Sequence, residues 1–97
     1  IMFYYSFRGT IINKKGRFVI YENDVEAGEM TFTWAGEEKF IIDHTGVKEA
    51  FGGKGLAKKL VLAGVEYARE NDKKIIPLCP YAKARFDRDE SLKDVLA

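Results

Sequence analysis

KFIIDHTGVKEAFGGKGLAKKLVLAGVEYAREN, residues 39–71, changes its hydrophobic period part-way along. Residues 39–47 (KFIIDHTGV) are rich in β-branched and aromatic side chains and read as a strand. Residues 50–55 (AFGGKG) break that strand. From Leu56 to Asn71 the period becomes helical. Leu56, Leu60, Gly64 and Tyr67 lie along one face, flanked by Val61, Val65 and Ala68. Lys58, Lys59, Glu66, Arg69 and Glu70 take the opposite side, as an amphipathic helix requires. Asn71 and Asp72 end it.

The segments before residue 39 read as strands. Residues 17–22 (RFVIYE) lead through the turn pair Asn23-Asp24 into residues 25–34. There Met30, Phe32 and Trp34 share one face, and Thr31 and Thr33 the other. Residues 35–38 (AGEE) form a second turn. Three strands joined by short turns predict an antiparallel meander. After the helix, residues 74–78 (KIIPL) form a short strand. A strand that follows a helical crossover usually runs parallel to the strand before it, here 39–47. Pro77 argues against a central position, because it has no N–H for a ladder. Pro80 suits the first position of a second helix, 80–86. A short C-terminal helix over 91–96 would take Ser91 as its cap. Residues 1–10 alternate weakly and read either as a strand or as a disordered leader. The start at Ile rather than Met makes residues 1–14 an extension in this reading. The whole predicts one α/β domain over residues 1–97, of the α+β kind. It has a mostly antiparallel sheet, one main helix after a glycine loop, and short C-terminal helices.

Composition narrows the function classes. There are 16 basic and 15 acidic residues, for a net charge of +1. This balance lacks the basic excess of a nucleic-acid-binding face or of a polybasic membrane surface. No apolar run approaches the ~20 residues of a membrane span. Cys79 is the only cysteine, so no internal disulfide forms and packing must stabilise the chain. A lone thiol and the absence of a recognisable signal peptide make the cytoplasm the expected location. The expected state is a monomer or a weak homodimer through an unpaired outer strand.

The most informative local feature is strand, then Gly52-Gly53-Lys54-Gly55, then helix. Glycines allow positive φ and close approach of a ligand. The first turn of a helix leaves N–H groups unpaired, and with the helix dipole these attract anions. Lys54 and Lys58 add positive charge, so a pyrophosphate is the natural guest. A P-loop would need Gly at position 48 and Ser or Thr at 55. A dinucleotide fingerprint starting at Gly53 would need Gly or Ala at 58. Neither spelling is present. A plain flexible turn at a helix start remains the alternative.

Gly53-Lys54-Gly55-Leu56-Ala57, following a strand that ends at Val47, resembles the acetyl-CoA loop of the GNAT superfamily of N-acetyltransferases. That loop runs Gln or Arg, two residues, Gly, one residue, Gly or Ala. Gly55 and Ala57 match its end, while Gly52 departs from its start. DHTGV (43–47), the glycine loop and IIPLCPYA (75–82) together resemble a small, minimal GNAT-like family of predicted N-acetyltransferases. The resemblance covers about residues 15–97. It implies a truncated GNAT-like fold whose sheet splays open between the strand ending at Val47 and the strand ending at Cys79. It further implies that coenzyme A lies in that gap, its pantetheine arm bonded to backbone near Thr45 and Val47. The pyrophosphate would sit over Gly52, Gly53, Lys54, Gly55, Leu56, Ala57 and Lys58, with Tyr81 also on the cofactor side. The implied partners are acetyl-CoA and an amine acceptor.

Two side chains are candidates for the chemistry. His44 is the only histidine. By alternation it shares a strand face with Phe40 and Ile42, and it can accept a proton near neutral pH. The alternative is a histidine packed at the sheet. Cys79 precedes Pro80 and so lies near a helix N-terminus, where a thiolate is favoured. It would take the acetyl group, or only shape the site, or act as a small buried hydrophobe. Many GNAT enzymes place a tyrosine seven residues after this strand end as a general acid. That position is Phe86 here, which has no proton to give; Arg85 and Tyr81 are the nearest substitutes. The expected function is therefore an acetyl-CoA-dependent N-acetyltransferase. Two alternatives are a coenzyme A-binding sensor or interaction module without turnover, and a domain for another phosphorylated ligand.

Overall fold

The computed structural model describes residues 2–9 and 14–97, with side chains from residue 15 onward. Among these residues five strands form one sheet, ordered β1-β2-β3-β4-β5. They are β1 (Met2–Gly9), β2 (Lys14–Glu22), β3 (Val25–Trp34), β4 (Lys39–Val47) and β5 (Lys74–Pro77). The first four pair antiparallel in sequence order, and β5 pairs with β4 in parallel. The segment read either as a strand or as a leader is thus a strand in its backbone. The predicted alternation of its side chains lies outside the described residues.

Local chemistry explains the turns. Asn23 and Asp24, both at positive φ (51° and 65°), close the β2–β3 hairpin. Two-residue hairpin loops favour this conformation, and Asn and Asp tolerate it. Gly36, at φ 87°, serves the next turn. The main helix α1 spans Leu56–Glu70, and α2 spans Pro80–Arg88 with proline in its first turn. A 3-10 helix follows over Glu90–Val95. Asp89 caps it, accepting from the Ser91 N–H and hydroxyl at 3.0 and 2.6 Å. Ser91, expected as the cap, is the donor instead.

Both helices cover one face of the sheet. Phe18, Ile20, Met30, Phe32, Phe40 and Ile42 point from the strands into the core. Leu56, Leu60, Val61, Val65 and Ala68 meet them from α1, and Ala82 and Phe86 from α2. Tyr67 lies half-buried at the margin, its ring 5.8 Å from Phe18 and 6.0 Å from Phe40. The chain end closes the outer side of β5: Ala97 donates its N–H to the Ile75 carbonyl at 2.9 Å. Among the described residues no helix is long and apolar enough to cross a membrane.

Phe40 is fully buried, with ring contacts to Phe32 (5.2 Å) and Trp34 (5.4 Å). Phe40→Ala should therefore lower unfolding stability by about 3–5 kcal/mol, read from urea denaturation curves.

Candidate functional site

Strands β4 and β5 part company half-way along β4. Their pairing runs from Lys39↔Lys74 to Ile42↔Pro77. The Lys74 N–H donates to the Glu38 carbonyl, so the donors that face β4 alternate onto Ile76 and Leu78, but the Leu78 N–H turns back to the Ile76 carbonyl at 3.1 Å. The last link is the Cys79 N–H to the Ile42 carbonyl, 2.9 Å. Beyond it β4 continues alone on that side for residues 43–47. A bulge marks the same point. The β3–β4 register steps from Phe32↔Ile42 to Thr31↔His44, leaving Asp43 as the extra residue. Bulges bend a strand and increase its twist, which helps β4 diverge from β5.

The bulge also changes which way the side chains face. Simple alternation puts His44 with Phe40 and Ile42. The extra residue breaks that parity. His44 lies opposite Thr31 and is exposed, whereas Phe40 and Ile42 are buried. His44 therefore sits on the face away from α1, with its Nε2 over Gly46, 2.9 Å from where a Cβ would be. On the same face Asp43 accepts from the Thr33 hydroxyl at 2.7 Å, and Arg17 bonds Glu29 at 2.5 Å. Thr45 is the residue that returns to the helix face, opposite the buried Met30.

The open edge of β4 presents backbone groups. The Lys48 N–H donates to the Ala27 carbonyl on β3 at 2.7 Å. Neighbouring residues of a strand alternate in direction, so Val47 and Thr45 turn their N–H and C=O to the side that β5 has left.

Cys79 stands at the apex of this opening. It is the N-cap residue of α2 and is 4% exposed. Its thiol makes no cap hydrogen bond of ordinary geometry. Burial is the largest influence and disfavours the thiolate. The Ala82 N–H, the Thr45 hydroxyl, and the Tyr81 and Thr45 N–H groups oppose it and together prevail, so the thiol titrates below its ordinary value. The Thr45 hydroxyl is buried without a conventional hydrogen-bond partner, which leaves it available to this sulfur or to a ligand.

The glycine loop lies at the other end of β4, beyond a 3-10 turn over Glu49–Phe51. Gly53 and Gly55 hold φ of 77° and 75°, which only glycine adopts readily. Gly55 is the N-cap of α1, with no side-chain cap and no acidic residue in the first turn. The leading N–H groups of a fifteen-residue helix are thus left for another acceptor. Each of the two lysines lies near a carboxylate of the protein itself. Lys54 is bonded to Glu22 at 2.7 Å and lies over the Phe51 ring. Lys58, with Arg85, lies near Asp89, whose carboxyl is held below its usual range chiefly by Ser91 and in smaller part by those two charges. Leu56 is buried in the core, Ala57 is half-buried, and Gly52 is exposed with an extended backbone. Tyr81 is partly exposed on α2 beside Cys79, and Leu78 projects into solvent before it. Phe86 is a core residue, 1% exposed. Glu22 did not stand out in the sequence, since nothing in residue spacing links positions 32 apart.

A family model described as GCN5-related N-acetyl-transferase matches residues 17–95. The chain belongs to that family. It is thereby an N-acetyltransferase of the acyltransferase class. It is similar to a candidate GCN5-like N-acetyltransferase from Staphylococcus aureus, solved by NMR in solution. The two share 39% identity over 84% of this chain and 80% of the other, with a TM-score of 0.68. The fold also matches a ribosomal-protein-alanine N-acetyltransferase from Brucella melitensis biovar Abortus 2308 at 19% identity and TM-score 0.64. That match covers 76% of this chain and 61% of the other. A GNAT family acetyltransferase from Elizabethkingia anophelis, solved with acetyl-CoA bound, matches at 14% identity and TM-score 0.64, over 78% and 63%. This chain spans about three-fifths of the length of those two proteins. A search of curated proteins gave no match.

Two substitutions test this geometry. Phe86→Tyr, which supplies the tyrosine that the resemblance leads one to expect there, would place a hydroxyl in the core. It should lower stability by about 1–3 kcal/mol in urea unfolding. Thr45→Val removes one donor from the Cys79 sulfur and should raise the thiol's pKa, read from thiolate ultraviolet absorbance against pH. A thiol depressed on folding adds stability above its unfolded pKa, and this is lost as pH falls through the folded value. Thr45→Val should shrink that alkaline increment.

Proposed function

We propose that the chain transfers an acetyl group from acetyl-CoA to an amine, borne by a small molecule or a protein. The observation that carries this reading is the opening between β4 and β5, with the Cys79 thiol at its apex and the glycine-capped start of α1 beyond its far end. The donor set suits the ligand. Strand-edge N–H and C=O groups at Thr45 and Val47 match an amide-bearing arm. The uncapped helix start, with Gly53 and Gly55, matches a pyrophosphate. The buried Thr45 hydroxyl, beside the Cys79 sulfur and without a conventional partner, keeps acceptor capacity for such an arm.

When bound, acetyl-CoA supplies a thioester whose acetyl carbon accepts the amine nitrogen and whose sulfur departs as a thiolate. Cys79 acts at its sulfur. As a thiolate it is a nucleophile that takes the acetyl group; as a thiol it hands a proton to the departing sulfur. The donors from Thr45, Tyr81 and Ala82 favour its thiolate over burial, which opposes it. His44 stands on the sheet face that neither helix covers, where an incoming ammonium can lose its proton to the imidazole directly or through water. The competing reading is a domain that binds coenzyme A without turnover. Phe86 favours it, because phenylalanine has no hydroxyl to give a departing thiolate from the position where the resemblance expects a tyrosine.

Calorimetric titration with acetyl-CoA, followed by intact mass spectrometry, separates these readings. Saturable binding is expected, with a mass gain of about 42 Da, one acetyl group, that disappears in Cys79→Ala if the cysteine is acylated. Binding and amine acetylation without that adduct would assign the proton-donor role to Cys79. Binding without acetylation of any amine would favour the silent module. Gly55→Asp adds a carboxylate at the helix start and strains a positive-φ site, so it should weaken binding at least tenfold. Unchanged affinity would overturn the pyrophosphate assignment.

A further inference from the structure

Lys54 is the only charged side chain within the glycine loop, and it points to a carboxylate of the protein itself. Its Nζ lies 2.7 Å from Glu22 Oε2 and 5.7 Å from the centre of the Phe51 ring. The Glu22 side chain is 19% exposed and that of Lys54 49%. The lysine thus reaches inward, from a solvated loop to a shielded carboxylate at the end of β2. Around it the loop has little else to hold it. Gly53 and Gly55 are exposed, and the space where their Cβ atoms would be is open. Glycines at positive φ have the most conformational freedom to lose. A loop in which they must be ordered at the moment of binding loses affinity by that cost.

We infer that Glu22 and Lys54 form an anchor that sets the glycine loop in its ligand-ready shape, so that Lys54 is a positioning residue and not a phosphate ligand. A lysine already neutralised by Glu22 adds no net charge to the site. Recognition of the pyrophosphate then falls to the leading N–H groups of α1. The inference rests on the acetyl-CoA reading for its ligand, but the anchor itself is measurable without one.

The two roles of Lys54 predict opposite signs. As an anchor, its loss and the loss of Glu22 do the same damage. As a phosphate ligand, its release from Glu22 improves binding. Four variants are compared with the wild type by calorimetry with coenzyme A: Glu22→Gln, Lys54→Met, the two combined, and the charge-swapped pair Glu22→Lys with Lys54→Glu. The anchor predicts about three- to fivefold weaker binding in each single variant, the size of effect expected for one partly exposed pair. It also predicts no further loss in the combined variant, and recovery in the swapped pair. Amide hydrogen exchange at Gly53 and Gly55, measured without ligand, should accelerate by a similar factor in Glu22→Gln and recover in the swapped pair. Tighter or unchanged binding by Glu22→Gln beside weaker binding by Lys54→Met would overturn the anchor. Unchanged exchange at the two glycines would overturn it as well, whatever coenzyme A does. Failure of the wild type to bind coenzyme A, with exchange accelerated as expected, would sink the acetyl-CoA reading and leave the anchor standing.

Discussion

The Leu78 N–H turns back to the Ile76 carbonyl instead of pairing with β4, and from that diverted donor the shape of the site follows. A parallel strand beside β4 would otherwise continue its ladder past Ile42. Here the chain turns on the Leu78 to Ile76 hydrogen bond, makes one last contact through the Cys79 N–H, and enters α2. Strand β4 keeps β3 on one side and is left open on the other. An open strand edge inside a folded domain is costly unless something satisfies it. The edge at Thr45 and Val47 is therefore both a consequence of that break and a reason to expect a ligand.

The bulge at Asp43 works together with that break. It supplies the bend that takes β4 away from β5, and it reverses the facing of everything after it. One inserted residue brings Thr45 to the Cys79 side of the sheet and sends His44 to the other. The two candidate catalytic side chains thus approach the opening from opposite faces. Cys79 is buried against the helices and surrounded by donors; His44 is exposed where an acceptor can arrive. Such a division suits a transfer in which the donor is enclosed and the acceptor comes from solution.

Ion pairs have an uneven role in this small domain. Arg69 gathers Asp94, Glu66 and the Ser91 carbonyl, and so ties the C-terminal turn to the end of α1. These groups are largely solvated, and pairs of that kind contribute little each. The Glu22–Lys54 pair differs in its place more than in its strength. It bridges a core strand and a loop that has almost no packing of its own, so even a modest interaction decides how ordered that loop is.

Much of this was legible in the residues. The period change within 39–71 located β4, the loop and α1, because burial of one face imposes a period of two on strands and of 3.6 on helices. The Asn23-Asp24 pair marked a hairpin, and Pro80 marked the start of α2, through backbone preferences that act locally. The glycine loop and the segment around Cys79 carried the resemblance that the family match bears out. Three things were decided only by tertiary structure. His44 changed faces because a bulge is a property of two paired strands and leaves no mark in one. Lys54 found Glu22 because folding closes a separation of 32 residues. The cap of the last helical turn fell to Asp89 rather than Ser91 because the chain path, not the residue type, chose between two good caps. Local preference is written along the chain; partnership between distant residues exists only once the sheet has assembled.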